Sequence, residues 1–170
     1  QLISKAGGAT ALLLSEGVSR APGFAFDDLR QAGLFVSWVV PQLDKLKSVA
    51  ATTTRHGELI DLQITLEGNH VYLRFDYRTG DAAGQNMVTI ATQAICDYIE
   101  ENSPVQPRFF FVEANLSGDK KASAQSFMSV RGKKVTAEVI LPKQLVESTL
   151  YTTPQRMVEF WAMSAMGGVL

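Results

Sequence analysis

Apolar and polar positions alternate most regularly between residues 58 and 77. Ile60, Leu62, Ile64 and Leu66 are separated by Asp61, Gln63 and Thr65, and Val71, Leu73, Phe75 and Tyr77 repeat the pattern. Period two puts each set on one face of a strand. Gly68 and Asn69 between the runs predict a tight turn, hence a β-hairpin. Beyond residue 86 the period becomes helical. Met87, Ala91, Ala94, Ile95 and Tyr98 predict a helix over 87–101, ended by Pro104 and Pro107. Upstream, Asp27 and Asp28 suit a helix start. Pro41 divides the apolar stretch that follows into two helices, near 27–37 and 42–50. Residues 51–57 have no period and predict a loop. Residues 23–26 predict a short strand. The continuous run Phe109, Phe110, Phe111 and Val112 predicts a strand covered on both faces. From 23 to 112 the order is therefore β-α-β-β-α-β, the ferredoxin-like order. It gives an α+β class with one antiparallel sheet and helices on one face. The other face is free or covered by a partner.

The flanks have a different pattern. Residues 1–22 predict a short helix or strand, then a loop ending at Pro22 that contains Arg20. Residues 113–126 are polar and loop-like. Val135, Ala137, Val139 and Leu141 alternate, so 133–141 predicts a strand. Pro142 precedes a helix near 143–150. Thr153 and Pro154 start a last one, with Met157, Phe160, Trp161 and Met163 too apolar a set for solvent. That face, and an end at Leu170 without a polar tail, create the expectation of a piece cut from a larger fold. The expected organisation is 1–22 in a large domain, 23–112 as a small inserted domain, and 113–170 returning to the large one.

Composition narrows this only a little. The chain has 170 residues, 46% apolar and 19% charged, with 16 basic against 17 acidic residues. That balance offers no bulk attraction to nucleic acid or to a membrane surface, and no 18-residue apolar span is present. The apolar excess hints at an interface. A single cysteine, Cys96, excludes an internal disulfide and a cysteine-rich metal site, so no metal is expected.

Candidate chemistry centres on the strand-to-helix stretch Thr79, Gly80, Asp81, Ala82, Ala83, Gly84, Gln85, Asn86 and Met87. Small residues let a ligand approach the backbone, and the helix start offers N–H groups to an anion. A tight turn without a ligand explains the same residues equally well. Asp119, Lys120 and Lys121 alone would be a solvated loop. Gly132 and Lys133 lack the spacing of a P-loop.

Taken together, four pieces resemble one family. They are Gly7-Gly8-Ala9-Thr10 through Ser19-Arg20-Ala21-Pro22; Thr54-Arg55; the turn from Thr79 to Met87; and Asp119-Lys120-Lys121 with Arg131-Gly132-Lys133. The chain is similar along its whole length to the catalytic region of 3-hydroxy-3-methylglutaryl-CoA (HMG-CoA) reductase, of the class I type. The resemblance implies a ferredoxin-like domain for the nicotinamide cofactor, inserted in a larger domain for HMG-CoA. It implies two-step reduction of HMG-CoA to mevalonate with NADPH. Thr53, Thr54, Arg55 and His56 would receive the 2′-phosphate, where a guanidinium pairs well with a phosphate. Asp81, Ala82, Ala83, Gly84, Gln85 and Asn86 would lie along the cofactor. His56 stands where the family has an aromatic and Glu58 where it is often basic, which leaves NADH open beside NADPH.

Lys120 matches the catalytic lysine, whose ammonium would stabilise the oxyanion formed when hydride reaches the carbonyl. Asp119, Lys121 and Arg20 match positions that hold the HMG group. Glu113 departs from the family's small hydroxyl residue and would repel an anionic substrate unless turned away or paired with a cation. The resemblance also implies a glutamate supplied from before this chain and an aspartate and a histidine from after it, so the chain is expected not to turn over substrate alone. It further implies a homodimer or higher assembly with active sites between subunits, and a cytoplasmic location, with a membrane anchor of the parent left open. The alternative is a ferredoxin-like binding module without redox activity.

Overall fold

The structure, a computed structural model, describes residues 1–118, 124 and 132–168. The chain divides into two compact units, residues 15–134 and residues 1–14 with 135–170. The first is broader than the 23–112 segment expected of a small domain.

The larger unit is built on β4 (His70–Arg78), which pairs along one side with β3 (Glu58–Glu67). On its other side lie two short partners in line, the end of β1 (Thr10–Arg20) and then β2 (Gly23–Ala25). Pro22 interrupts them but keeps the ladder, because its carbonyl accepts the Leu73 N–H at 3.0 Å. β5 (Phe109–Phe111) adds to β2, and every one of these pairs is antiparallel. Including β6 (Gly132–Glu138), the sheet runs β5-β2-β4-β1-β6, with β3 also on β4.

The hairpin follows its pattern, with one refinement. Val71, Leu73, Phe75 and Tyr77 are all buried, and Leu62, Ile64 and Leu66 lie opposite Phe75, Leu73 and Val71. At Ile60 the register shifts, and Leu59 takes the buried place instead. A bulge adds one residue and so reverses which side chains face inward. Three helices cover this face: α2 (Leu29–Val39), α3 (Leu43–Thr53) and α4 (Gln85–Asn102). Pro41 sits in a 3-10 turn, Val40–Gln42, that joins α2 directly to α3. Phe35 lies between Phe24 and Phe26, with ring centroids 5.3 and 4.9 Å away. Asp28 caps α2, accepting the Gln31 N–H at 2.8 Å. Asp28→Ala is expected to lower stability by about 1 kcal/mol in a urea melt, as loss of a cap does.

Three local expectations are corrected. Arg20 is not in a loop but ends an eleven-residue strand. Residues 51–53 continue α3, which leaves only 54–57 as loop. β5 is not covered on both faces: Phe110 packs on the core, but Phe109 and Phe111 are 48% and 64% exposed. A strand at the end of a sheet with helices on one face has only one face to bury.

In the smaller unit, α1 (Leu2–Lys5) opens the chain, and α5 (Lys143–Leu150) and α6 (Pro154–Gly167) form as their proline starts predict. Thr153 caps α6 through the Arg156 N–H. β6 ends at Glu138, short of residue 141. Phe160, Trp161, Met163 and Met166 on α6 are exposed. No helix among the described residues is long and apolar enough to cross a membrane.

Candidate functional site

The turn between β4 and α4 is held from within. The Thr79 hydroxyl donates to the Ala82 carbonyl at 2.7 Å, and Gly80 and Gly84 take the left-handed conformation with φ of +60° and +69°. Gly84 stands at the N-cap of α4, where no side chain bonds the helix N–H groups. A Cβ built on Gly84 would lie 2.4 Å from Thr79 Cγ2, so Thr79 leaves no room there for a side chain. Asp81, Ala82, Ala83 and Asn86 are exposed. Gln85 Nε2 is buried and has no partner among the described residues. An uncapped helix start suits an acceptor-rich ligand such as a pyrophosphate.

Residues 79–83 also line a cleft of about 370 Å³ with Glu16, Gly17, Val18, Gly132 and Lys133. Lys133 Nζ reaches Glu16 at 3.3 Å and Asp81 at 4.0 Å. Glu16 is an addition that the sequence offered no reason to select.

The loop expected to take a 2′-phosphate stands beside this helix start. Thr53 bonds back into α3 through the Ala50 carbonyl at 2.8 Å, and Arg55 and His56 are exposed. Thr54 is part-buried and donates to the sulfur of Met87, in the first turn of α4, at 2.9 Å. The two candidate cofactor segments, far apart in sequence, are thus brought together.

Arg20 stands at the end of β1, against the start of α4. It is buried, and donates to the Thr89 hydroxyl at 3.0 Å and to Gln85 Oε1 at 2.7 Å. Glu113, the family departure, is 3.8 Å from its guanidinium and accepts the N–H groups of Ala21 and Asn115 at 3.3 and 2.8 Å. The carboxylate is therefore paired with a cation. Asp119, Lys120, Lys121 and Arg131 lie outside the described residues.

Two buried groups play no part in this surface. Burial raises the Cys96 thiol well above its ordinary range, and Asp97 and Glu100 add to the effect, so it is no nucleophile. Burial likewise raises Tyr77, against its hydrogen bond to Thr92. No group of three or more metal-ligating side chains occurs among the described residues.

An antiparallel sheet backed by helices, with a glycine turn opening onto an uncapped helix, defines a mixed α/β protein. The hydroxymethylglutaryl-coenzyme A reductase family model matches residues 1–170, and the chain belongs to that family. It is 44% identical over 158 residues to the 3-hydroxy-3-methylglutaryl-coenzyme A reductase of Haloferax volcanii, covering 93% of this chain and 39% of that protein. The Pyrococcus abyssi reductase is 42% identical over 92% of this chain and 38% of its own length. The chain thus spans about two fifths of the length of these relatives. Its fold is similar to that of the class II Streptococcus pneumoniae reductase solved bound to NADPH in open conformations. The TM-score is 0.63 at 18% identity, over 85% of this chain and 37% of that one.

Proposed function

We propose that this chain is the cofactor-binding part of an HMG-CoA reductase of the class I type, and that residues 23–112 are its ferredoxin-like NADPH domain. The strand order β5-β2-β4-β3, all antiparallel, supports the fold assignment. One observation carries the cofactor assignment: exposed Arg55 stands in a loop docked on the first turn of α4, whose N-terminus is uncapped. The helix start suits the pyrophosphate and Arg55 the 2′-phosphate of one extended dinucleotide. When bound, the cofactor supplies hydride for reduction of HMG-CoA to mevalonate. Lys120 would then hold a cation at the developing oxyanion, with Asp119 and Lys121 beside the HMG group. Arg20, which also bonds Gln85 at the start of α4, would hold the HMG group with them. The exposed apolar side chains of α6 support assembly into a dimer or higher oligomer, with the chain incomplete as a catalyst alone.

Titration of nicotinamide fluorescence tests this directly. NADPH is expected to bind the chain, and Arg55→Ala to weaken it by about tenfold or more, the value of one charge-assisted contact, with NADH unaffected. Failure of the unmodified chain to bind NADPH would overturn the assignment and favour a binding module without redox activity.

A further inference from the structure

The contact between Thr54 and Met87 does more than close a gap. Thr54 is the residue at which α3 ends, with extended backbone. Its hydroxyl donates to Met87 Sδ at 2.9 Å and accepts the N–H groups of His56 and Gly57 at 3.1 and 3.3 Å. One oxygen therefore fixes both the residue after Arg55 and the next one. The second half of the contact is steric. A Cβ on Gly57 would meet Met87 Cε and Sδ at 3.1 Å and Thr54 Cγ2 at 3.2 Å. The loop is seated on the methionine with no space to spare. On the other side, Met87 follows Gln85 and Asn86 in the helix turn assigned to the pyrophosphate. Among the described residues neither Arg55 nor His56 bonds that turn, and both are exposed, so Thr54 and Met87 carry the connection.

We infer that Thr54 and Met87 form a latch that sets the distance between Arg55 and the N-terminus of α4, making Met87 a positioning residue for choice between NADPH and NADH. The inference rests on the cofactor assignment above. A guanidinium pairs with a phosphate only within a few tenths of an ångström of the right place, whereas NADH makes no use of Arg55. Met87 as a bulk apolar residue would affect both dinucleotides alike. As part of a latch it affects only the phosphorylated one.

Met87→Leu preserves apolar volume and removes the sulfur acceptor. In the cofactor-free full chain, amide hydrogen exchange at His56 and Gly57 is expected to quicken. In fluorescence titrations NADPH is expected to bind about tenfold more weakly while NADH binding is unchanged, since one misplaced charged contact is worth about that factor. Thr54→Val, on the other side of the same bond, is expected to quicken exchange at the same two amides and Thr54→Ser to keep it slow; selectivity is read from Met87→Leu, because Thr54 itself stands among the residues proposed for the 2′-phosphate. Equal loss for both dinucleotides, or no change in either exchange or selectivity, would overturn the latch. If exchange responds but the unmodified chain binds no NADPH, the cofactor assignment fails and the selectivity role falls with it. If NADPH binds and responds to Arg55→Ala but not to Met87→Leu, only the latch fails.

Discussion

Gly84→Ala is expected to lose both stability and cofactor binding. The residue sits at φ +69°, and its missing side chain is replaced by Thr79, whose Cγ2 would be 2.4 Å from a new Cβ. A non-glycine residue held in this region costs about 1–3 kcal/mol. Displacing Thr79 adds to that, because its hydroxyl holds the Ala82 carbonyl across the turn. A total near 3 kcal/mol corresponds to a fall in Tm on the order of 6–12 °C for a chain of this size. The relaxed turn no longer presents the α4 N–H groups in one direction, so NADPH affinity is expected to drop by more than about tenfold, one step of 1.4 kcal/mol. A variant that melts like the unmodified chain and binds NADPH equally well would show that the turn is not the cofactor's seat.

Phe35→Ala is expected to have the largest effect on stability. Phe35 is completely buried, with the rings of Phe24, Phe26 and Trp38 within 5.3, 4.9 and 6.1 Å. These come from β2, the residue just after it, and α2 itself, so the cavity would open where the helix meets the sheet. Removing such a ring costs about 3–5 kcal/mol, much of a typical domain's margin. Chemical denaturation should show the midpoint falling with an unchanged slope. A loss below about 1 kcal/mol would mean that the site collapses around the gap.

These two positions differ in how openly the sequence displays them. Gly84 lies in a run of small residues between an alternating strand and a helical period, and any reader of periodicity stops there. The hairpin was equally plain, because a two-residue turn separates two clean alternations. Ile60 departs from its alternation because a bulge leaves no mark in the pattern: Leu59 and Ile60 are both apolar, and only pairing with β4 decides which turns inward. The strand ending at Arg20 was missed for a related reason. Leu12, Leu13 and Leu14 form an unbroken apolar run, and Pro22 signals a loop, while the ladder simply continues past it. Burial of Arg20 was beyond reach, since its partners Gln85, Thr89 and Glu113 come from distant segments. Family resemblance pointed to Arg55 and to the turn separately. Their connection through Thr54 and Met87 exists only in three dimensions, because Met87 has the spacing of an ordinary core residue.

The arrangement of strands around β4 also bears on how the chain is made. Ala25 finds its partner His70 only after α2, α3 and β3 have been synthesised, and Val18 waits longer still, for Tyr77. Until then a growing polypeptide carries an apolar ribbon, rich in phenylalanine, with nothing to pair it. Non-local pairing of this kind is slow and leaves the ribbon open to wrong neighbours. Truncation ahead of residue 70 is expected to leave that ribbon unpaired and prone to self-association.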